Sequence, residues 1–343
     1  MHQLTYDDIK AATDRIAGHI RPVTVAPVAP GTIRTAHRGL LDDGPEKPYE
    51  VWFALEFMQY TGSFKARGAQ NFIQAHREAG TLPSAGVTIA SGGNAGLACA
   101  WAAQQQGVPA TVFVPTAAPA VKVAKLRGFG ADVRVVGAEY AEALEACEEF
   151  AAASGALAAH AYDHALIAAG AGTLLEEIHA RIPGLDTVVV SVGGGGLFAG
   201  VATAARHHGI RTVAVEPENC RALNAAIEAG RPVDVPVDSI AIDALGARRA
   251  TALALHAARR DDVRSVLVPD DEIVRARQEL WDDRRVAVEH AAATALAALT
   301  AADLPNGPTA PCHGYRPREG ERVAVVLCGA NTDPSDLVHP AEN

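Results

Sequence analysis

The sequence predicts an α/β fold with two parallel-sheet units. Three observations predict it. Short β-branched runs alternate with Ala-rich helical stretches, the alternation restarts after Tyr162, and Gly-rich segments stand where apolar strands turn into helices.

In the first unit VTIA (87–90), TVFV (111–114), DVRVV (132–136) and ALAAH (156–160) read as strands, with helices over 95–106, 119–127 and 139–153. Gly107-Val108-Pro109 and Gly128-Phe129-Gly130 supply turns between them. The second unit reads as helix 164–181, strand 187–192, helix 197–208, strands 212–216 and 265–269, helices 270–283 and 287–302, and strand 323–327. A helix near 6–17, strand 49–56 and helix 64–79 come before the first unit and are assigned to the second. The small unit, 85–160, is then inserted into a large one built from 1–84 and 161–343. Strand ends of both units face one cleft, the usual ligand position in open α/β sheets. The Gly- and Pro-rich stretch 303–320 reads as a surface loop.

Of 343 residues, 49% are hydrophobic and 20% charged, which excludes a disordered or fibrous chain. The net charge of −10 argues against a surface made to neutralise nucleic-acid phosphates or anionic lipid, so a small-molecule partner is expected. Five Cys without C-x-x-C spacing indicate neither a disulfide framework nor a zinc ribbon, and fit the reducing cytoplasm. The polar N-terminus lacks a signal peptide's apolar run, and no apolar stretch reaches membrane-spanning length.

Four segments carry chemistry. Thr61-Gly62-Ser63-Phe64-Lys65-Ala66-Arg67-Gly68-Ala69 opens a helix with Lys65 in its first turn, where the macrodipole disfavours a cation and promotes a neutral, nucleophilic amine. An exposed helix lysine is the ordinary alternative. Ser91-Gly92-Gly93-Asn94-Ala95-Gly96 turns a strand into a helix whose first N–H groups suit a carboxylate, or is a plain Asn-capped turn. Gly193-Gly194-Gly195-Gly196-Leu197 follows another strand, and four glycines in a row are too costly in entropy for a purely structural turn. A phosphate-binding nest accounts for them. Gly194, Gly196 and Ala199 with Glu216 also satisfy a dinucleotide fingerprint, which keeps a nucleotide-binding oxidoreductase open as a rival but leaves Lys65 unexplained. Cys328, at the end of the last strand, heads Cys328-Gly329-Ala330-Asn331-Thr332-Asp333-Pro334 and puts a thiol at the sheet's carboxyl edge. Of thirteen His, the pair His160 and His164 beside Asp163 is the best metal candidate, yet a capping or surface role is expected because no full ligand set exists. Without a G-x-S-x-G motif, an α/β-hydrolase is disfavoured.

Together with His19-Ile20-Arg21-Pro22-Val23, Gly170-Ala171-Gly172-Thr173 and Val215-Glu216-Pro217, these segments resemble the fold-type II pyridoxal-phosphate enzymes, specifically the serine/threonine dehydratases, over nearly the whole chain. The resemblance implies a tryptophan synthase β-like fold, with pyridoxal 5'-phosphate in the interdomain cleft, and a homodimer. It implies that Lys65 bonds the cofactor aldehyde and that Gly193, Gly194, Gly195, Gly196 and Leu197 hold its phosphate. Asn94 meets the ring hydroxyl, Phe64 packs near the ring, and Cys328 faces the ring nitrogen as a neutral partner. Ser91, Gly92, Gly93, Asn94 and Ala95 match the loop that grips the substrate carboxylate. The implied reaction is β-elimination from L-serine or L-threonine, giving pyruvate or 2-oxobutanoate and ammonia, with Lys65 as the base at Cα.

Departures from the pattern narrow this. Gly92 stands where racemase relatives have a Ser, so little racemase activity is expected. The carboxylates that hold a divalent cation in those relatives are incomplete after Glu216, so no metal is expected. Ala95 replaces the His of threonine-dehydratase relatives, which leaves serine, threonine and longer hydroxyamino acids open. Glu289 resembles a Glu at the pyridine edge, but His290 follows it where Pro is usual. The sixteen residues after Leu327 are too few for an appended regulatory domain, so feedback inhibition is not expected. Other activities still open are β-replacement of the cysteine-synthase kind and cofactor binding without catalysis.

Overall fold

Near-continuous Val, Ile and Ala runs buried on both faces give parallel strands covered by helices. In the computed structural model, which describes residues 3–29, 32–33, 49–301 and 314–338, they form two sheets. The larger contains β1 (Val25–Val28), β2 (Glu50–Ala54), β7 (Thr187–Ser191), β8 (Arg211–Pro217), β9 (Val263–Val268) and β10 (Arg322–Val326), in the order β1-β2-β10-β7-β8-β9. Only β1 is antiparallel to its neighbour. The smaller sheet, all parallel, has the order β5-β4-β3-β6, from β3 (Val87–Ala90), β4 (Ala110–Val114), β5 (Asp132–Val135) and β6 (Leu157–Ala158).

Helix α1 (Tyr6–Ile16) is started by a capping box between Thr5 and Asp8. Helices α2 (Lys65–Glu78), α3 (Asn94–Gln106), α4 (Ala120–Gly128), α5 (Tyr140–Ser154), α6 (Ala165–Arg181) and α7 (Gly196–His207) follow in order. After β8 come α8 (Ala222–Ala229), α9 (Ile242–Leu245), α10 (Ala252–Ala258), α11 (Asp270–Arg284), α12 (His290–Thr300) and α13 (Ser335–Val338). The Ala-rich α12 lies across β7, β8 and β9, and nearly every residue in it is buried. Helix α2 packs on α3 and on α6. Its Ala66, Ala69, Phe72 and Ile73 belong to the apolar cluster of the small sheet, although the segment precedes that sheet in the chain.

The strand expected over 156–160 is reduced to Leu157–Ala158, and the helix expected from 287 begins at His290 because Glu289 is extended (φ −72°, ψ 157°) as its N-cap. Strand β1 was not anticipated, since Pro27 breaks its pattern. Proline is tolerated there because β1 is an edge strand. Most of the loop read over 303–320 lies outside the described residues. Among the described residues no helix is long and apolar enough to cross a membrane.

Candidate active site

Lys65 opens α2, and the turn before it is tied to the loop after β10. Thr61 and Gly62 both take left-handed φ, 68° and 74°, which lets the chain reverse. The Phe64 N–H then donates to the Cys328 carbonyl at 3.0 Å, and the Ala330 N–H to the Gly62 carbonyl at 2.9 Å. Two residues into α2, Arg67 is fully buried. Its guanidinium donates to both carboxylate oxygens of Glu56 (2.7 and 3.0 Å), to Glu177 (2.7 Å) and to Thr173 (3.1 Å). Burial alone would favour loss of its proton, but Glu56 and Glu177 outweigh it and hold Arg67 above its ordinary range. Lys65 is thus fixed on a helix pinned at its first turn.

The Lys65 Nζ donates to the Ala161 carbonyl at 2.7 Å and lies 4.9 Å from the Phe64 ring centroid. Desolvation lowers its pKa to about 8, with Cys328 and Glu289 acting in the opposite direction. About a tenth of the amine is therefore neutral at pH 7, and no carboxylate forms an ion pair with it among the described residues.

Opposite stands the loop from β7 into α7. The backbone N–H groups of residues 193–198 have no acceptor among the described residues, six donors at the positive end of a helix dipole. Gly195 has φ 98°, and a Cβ there would lie 2.3 Å from the Ala254 Cβ. One on Gly194 would lie 2.2 Å from the Tyr162 ring. The Gly194 carbonyl is held by the Thr251 N–H at 3.0 Å, and Leu197 is buried below.

The third wall is the turn from β3 into α3. The Ser91 hydroxyl accepts the Gly93 N–H at 3.3 Å. A Cβ on Gly96 would meet the Ser91 carbonyl at 1.8 Å, so only glycine permits this turn. One on Gly92 would approach Val114 at 3.3 Å. The amides of residues 94–96 lack acceptors among the described residues. Asn94 donates to Glu289 Oε1 and accepts from Asn331 Nδ2, both at 2.8 Å. Ala95, Lys65 and Cys99 line one small apolar cavity with Phe72 and Ile89.

At the end of β10, the Cys328 Sγ is 3.5 Å from the Ser191 hydroxyl. Burial, reinforced by Glu289, pushes this thiol up to about 12, so it is neutral. Burial also pushes Glu289 up to about 7, against the hydrogen bond from Asn94. Lys65, the glycine loop, the Ser91–Ala95 turn and Cys328 thus converge from four loops. Glu289, which the resemblance put at the pyridine edge, lies among these loops beside Asn94, whereas Tyr162 and the partners of Asn331 were not anticipated. Asn331 stood in a segment already singled out, but nothing in the chain near it signals its partners.

The dinucleotide rival loses its acidic residue. Glu216 is buried and accepts the Leu223 and Asn224 N–H groups at 2.7 and 2.8 Å, capping α8 rather than facing a ligand. His160 Nδ1 accepts the Tyr162 and Asp163 N–H groups, and His164 Nδ1 accepts that of Leu166 at the start of α6. Both histidines cap the chain. Cys99, Cys147 and Cys220 are buried free thiols.

Comparison with known proteins gives the family. The rat protein named serine dehydratase-like is 36% identical over 82% of this chain and 85% of its own length. The L-threonine ammonia-lyase of Geobacter sulfurreducens is 36% identical over 73% of this chain and 62% of its own. Maize serine racemase superposes with a TM-score of 0.83 at 28% identity, covering 98% of this chain and 96% of that one. A family model described as pyridoxal-phosphate dependent enzyme matches residues 35–329, and the chain belongs to that family.

Proposed function

We propose that this enzyme eliminates the β-hydroxyl of an L-hydroxyamino acid of the serine or threonine type, releasing the 2-oxo acid and ammonia. The relatives' names support the reaction class, and one observation carries it: a desolvated lysine amine that lines one pocket with Gly196 and Leu197 of a loop of unpaired amides. The residues present fit pyridoxal phosphate. Amides 193–198 suit its phosphate, Lys65 its aldehyde, Asn94 its ring oxygen and Cys328 its nitrogen, with Phe64 and Leu197 as apolar neighbours.

When bound, the cofactor withdraws electrons from the substrate's Cα and makes its proton acidic. Ser91, Gly92, Gly93, Asn94 and Ala95 hold the substrate carboxylate on the free amides of α3. Lys65, whose pKa of about 8 allows a neutral amine, takes the Cα proton. The neutral Cys328 thiol offers a hydrogen bond without a charge, which favours prompt loss of the β-hydroxyl as water over transamination. The proton taken from Cα and the hydroxyl leave together as water, the released enamine takes up one water as it hydrolyses, and the net products are pyruvate and ammonia from serine, or 2-oxobutanoate and ammonia from threonine.

We also propose a division into the segments 1–84 with 161–343 and 85–160, a reading the two separate sheets support. A cytoplasmic homodimer is proposed as well, from the free thiols and the family resemblance. The test is 2-oxo acid release from L-serine, L-threonine, L-phenylserine and O-acetyl-L-serine, the last with and without sulfide. Release from a hydroxyamino acid, lost in Lys65→Ala, is expected. A product formed only with O-acetylserine and sulfide overturns the proposal in favour of β-replacement.

A further inference from the structure

We infer that Asn331 is a positioning residue whose single carboxamide sets the orientation of Asn94 and holds the turn that carries Lys65. Its Nδ2 donates to the Thr61 carbonyl at 2.6 Å and to Asn94 Oδ1 at 2.8 Å, so both of its N–H bonds are used. The orientation follows from donor and acceptor chemistry. A backbone carbonyl only accepts, so the nitrogen of Asn331 must face Thr61 and therefore also Asn94. Asn94 must answer with its oxygen, which turns its own nitrogen towards the Glu289 carboxylate, another acceptor, at 2.8 Å. The second N–H of Asn94 has no acceptor among the described residues. It is a donor with a fixed direction rather than an amide free to flip.

The same side chain steadies a costly turn. Thr61 is β-branched, and its φ of 68° is an outlier that costs on the order of 1–3 kcal/mol. A Cβ on Gly62 would come within 2.9 Å of the Asn331 Oδ1, so the close approach depends on that glycine. One residue after β10 thus links the Lys65 turn, the Asn94 turn and its own loop, across 270 and 237 positions of sequence.

The inference rests on the assignment of Asn94 to the cofactor's ring oxygen, and the experiment separates the two. Cofactor dissociation constants and the visible absorption band of the bound cofactor are measured for the wild type, Asn94→Ala, Asn331→Ala, Asn331→Asp and the double alanine variant. Losing one oriented hydrogen bond weakens binding by about tenfold. Asn331→Ala is expected to do so and to shift the band, as Asn94→Ala does. In the Asn94→Ala background the Asn331→Ala change is expected to cost less than about threefold, because interacting residues are not additive. Asn331→Asp keeps the shape and so tests the orientation even where the alanine variant fails to fold. Its carboxylate faces two acceptors and should weaken binding at least as much. An unchanged affinity and band in a folded Asn331→Asp, or fully additive alanine effects, overturns the inference and leaves the Asn94 assignment standing. Unchanged behaviour of Asn94→Ala overturns that assignment and the inference with it.

Discussion

Replacing Arg67 with Met should destabilise the protein in a way that depends on pH. Met keeps the apolar stem but removes a guanidinium that makes four side-chain hydrogen bonds. Glu56, 1% exposed, would keep only Gln59 as a side-chain partner, at 3.5 Å. Breaking a buried pair from one side costs about 3–5 kcal/mol. The carboxyl can escape part of that cost by binding a proton. Burial already pushes Glu56 up, and Arg67 is the largest influence opposing it. Without Arg67 the folded pKa lies further above the unfolded value, so the folded state binds the extra proton. Stability is then retained below the unfolded pKa and lost as pH rises towards the folded one, with a slope approaching about 1.4 kcal/mol per pH unit. Denaturant unfolding of the cofactor-free variant and wild type at pH 5, 6, 7 and 8 should show a deficit that widens with pH. A deficit below about 1 kcal/mol, or one flat across that range, would refute the buried network as the anchor of α2.

Gly195→Ala combines a left-handed backbone, at roughly 1–2 kcal/mol, with a clash against Ala254, at roughly 1–3 kcal/mol. Denaturation should show about 2–5 kcal/mol lost, and adding Ala254→Gly should restore the clash part alone. If Lys65 takes up the cofactor as proposed, it needs the neutral amine, so the rate of uptake by the cofactor-free protein should rise with pH and level off above about 8. A rate still climbing towards the ordinary lysine value of 10.5 would contradict the desolvated environment. Glu289 is raised from 4.5 to about 7 in the folded state, so its ionisation costs the fold as pH rises between those values. Glu289→Gln, which does not ionise, should gain stability over the wild type by about 2.5 kcal/mol between pH 5 and pH 8 in cofactor-free protein, and equal pH profiles would contradict it.

The regular part of this fold was legible because its signals are local. The strand at 87–90 and the glycines after 191 announce themselves within ten residues, and Lys65 within a turn. Where a side chain's role depends on distant partners the chain is silent. Glu216 stands at the right spacing for a ribose, yet its carboxylate turns back onto α8. Spacing does not say where a buried oxygen points. Asn331 could be seen as part of a motif, but its partners Thr61 and Asn94 belong to other loops. Glu289 lost weight because of His290, although a helix starting at 290 makes residue 289 its N-cap and places it against Gly329, whose added Cβ would lie 1.7 Å from the carboxylate.

What brings Lys65 and the glycine loop together is also hidden in local pattern, in the small residues of α6. A helix advances about 100° per residue, so Gly170 and Gly172 lie about 200° apart, on nearly opposite faces. A Cβ on Gly170 would meet the Arg67 carbonyl of α2 at 2.6 Å, and one on Gly172 the Gly200 carbonyl of α7 at 2.8 Å. Gly68 and Gly200 answer from the other side, each with a Cβ position under 3 Å from the α6 backbone. These contacts are with backbone atoms, which cannot rotate aside as a side chain can. Helix α6 is therefore a thin spacer, clamped to α2 on one face and to α7 on the other. The N-termini of α2 and α7, and so the lysine amine and the unpaired amides, are set by the thickness of a helix without side chains at its two contact points. Any residue larger than glycine there would push α2 and α7 apart and so widen the distance between Lys65 and the loop proposed to hold the cofactor phosphate, even though neither glycine touches the site.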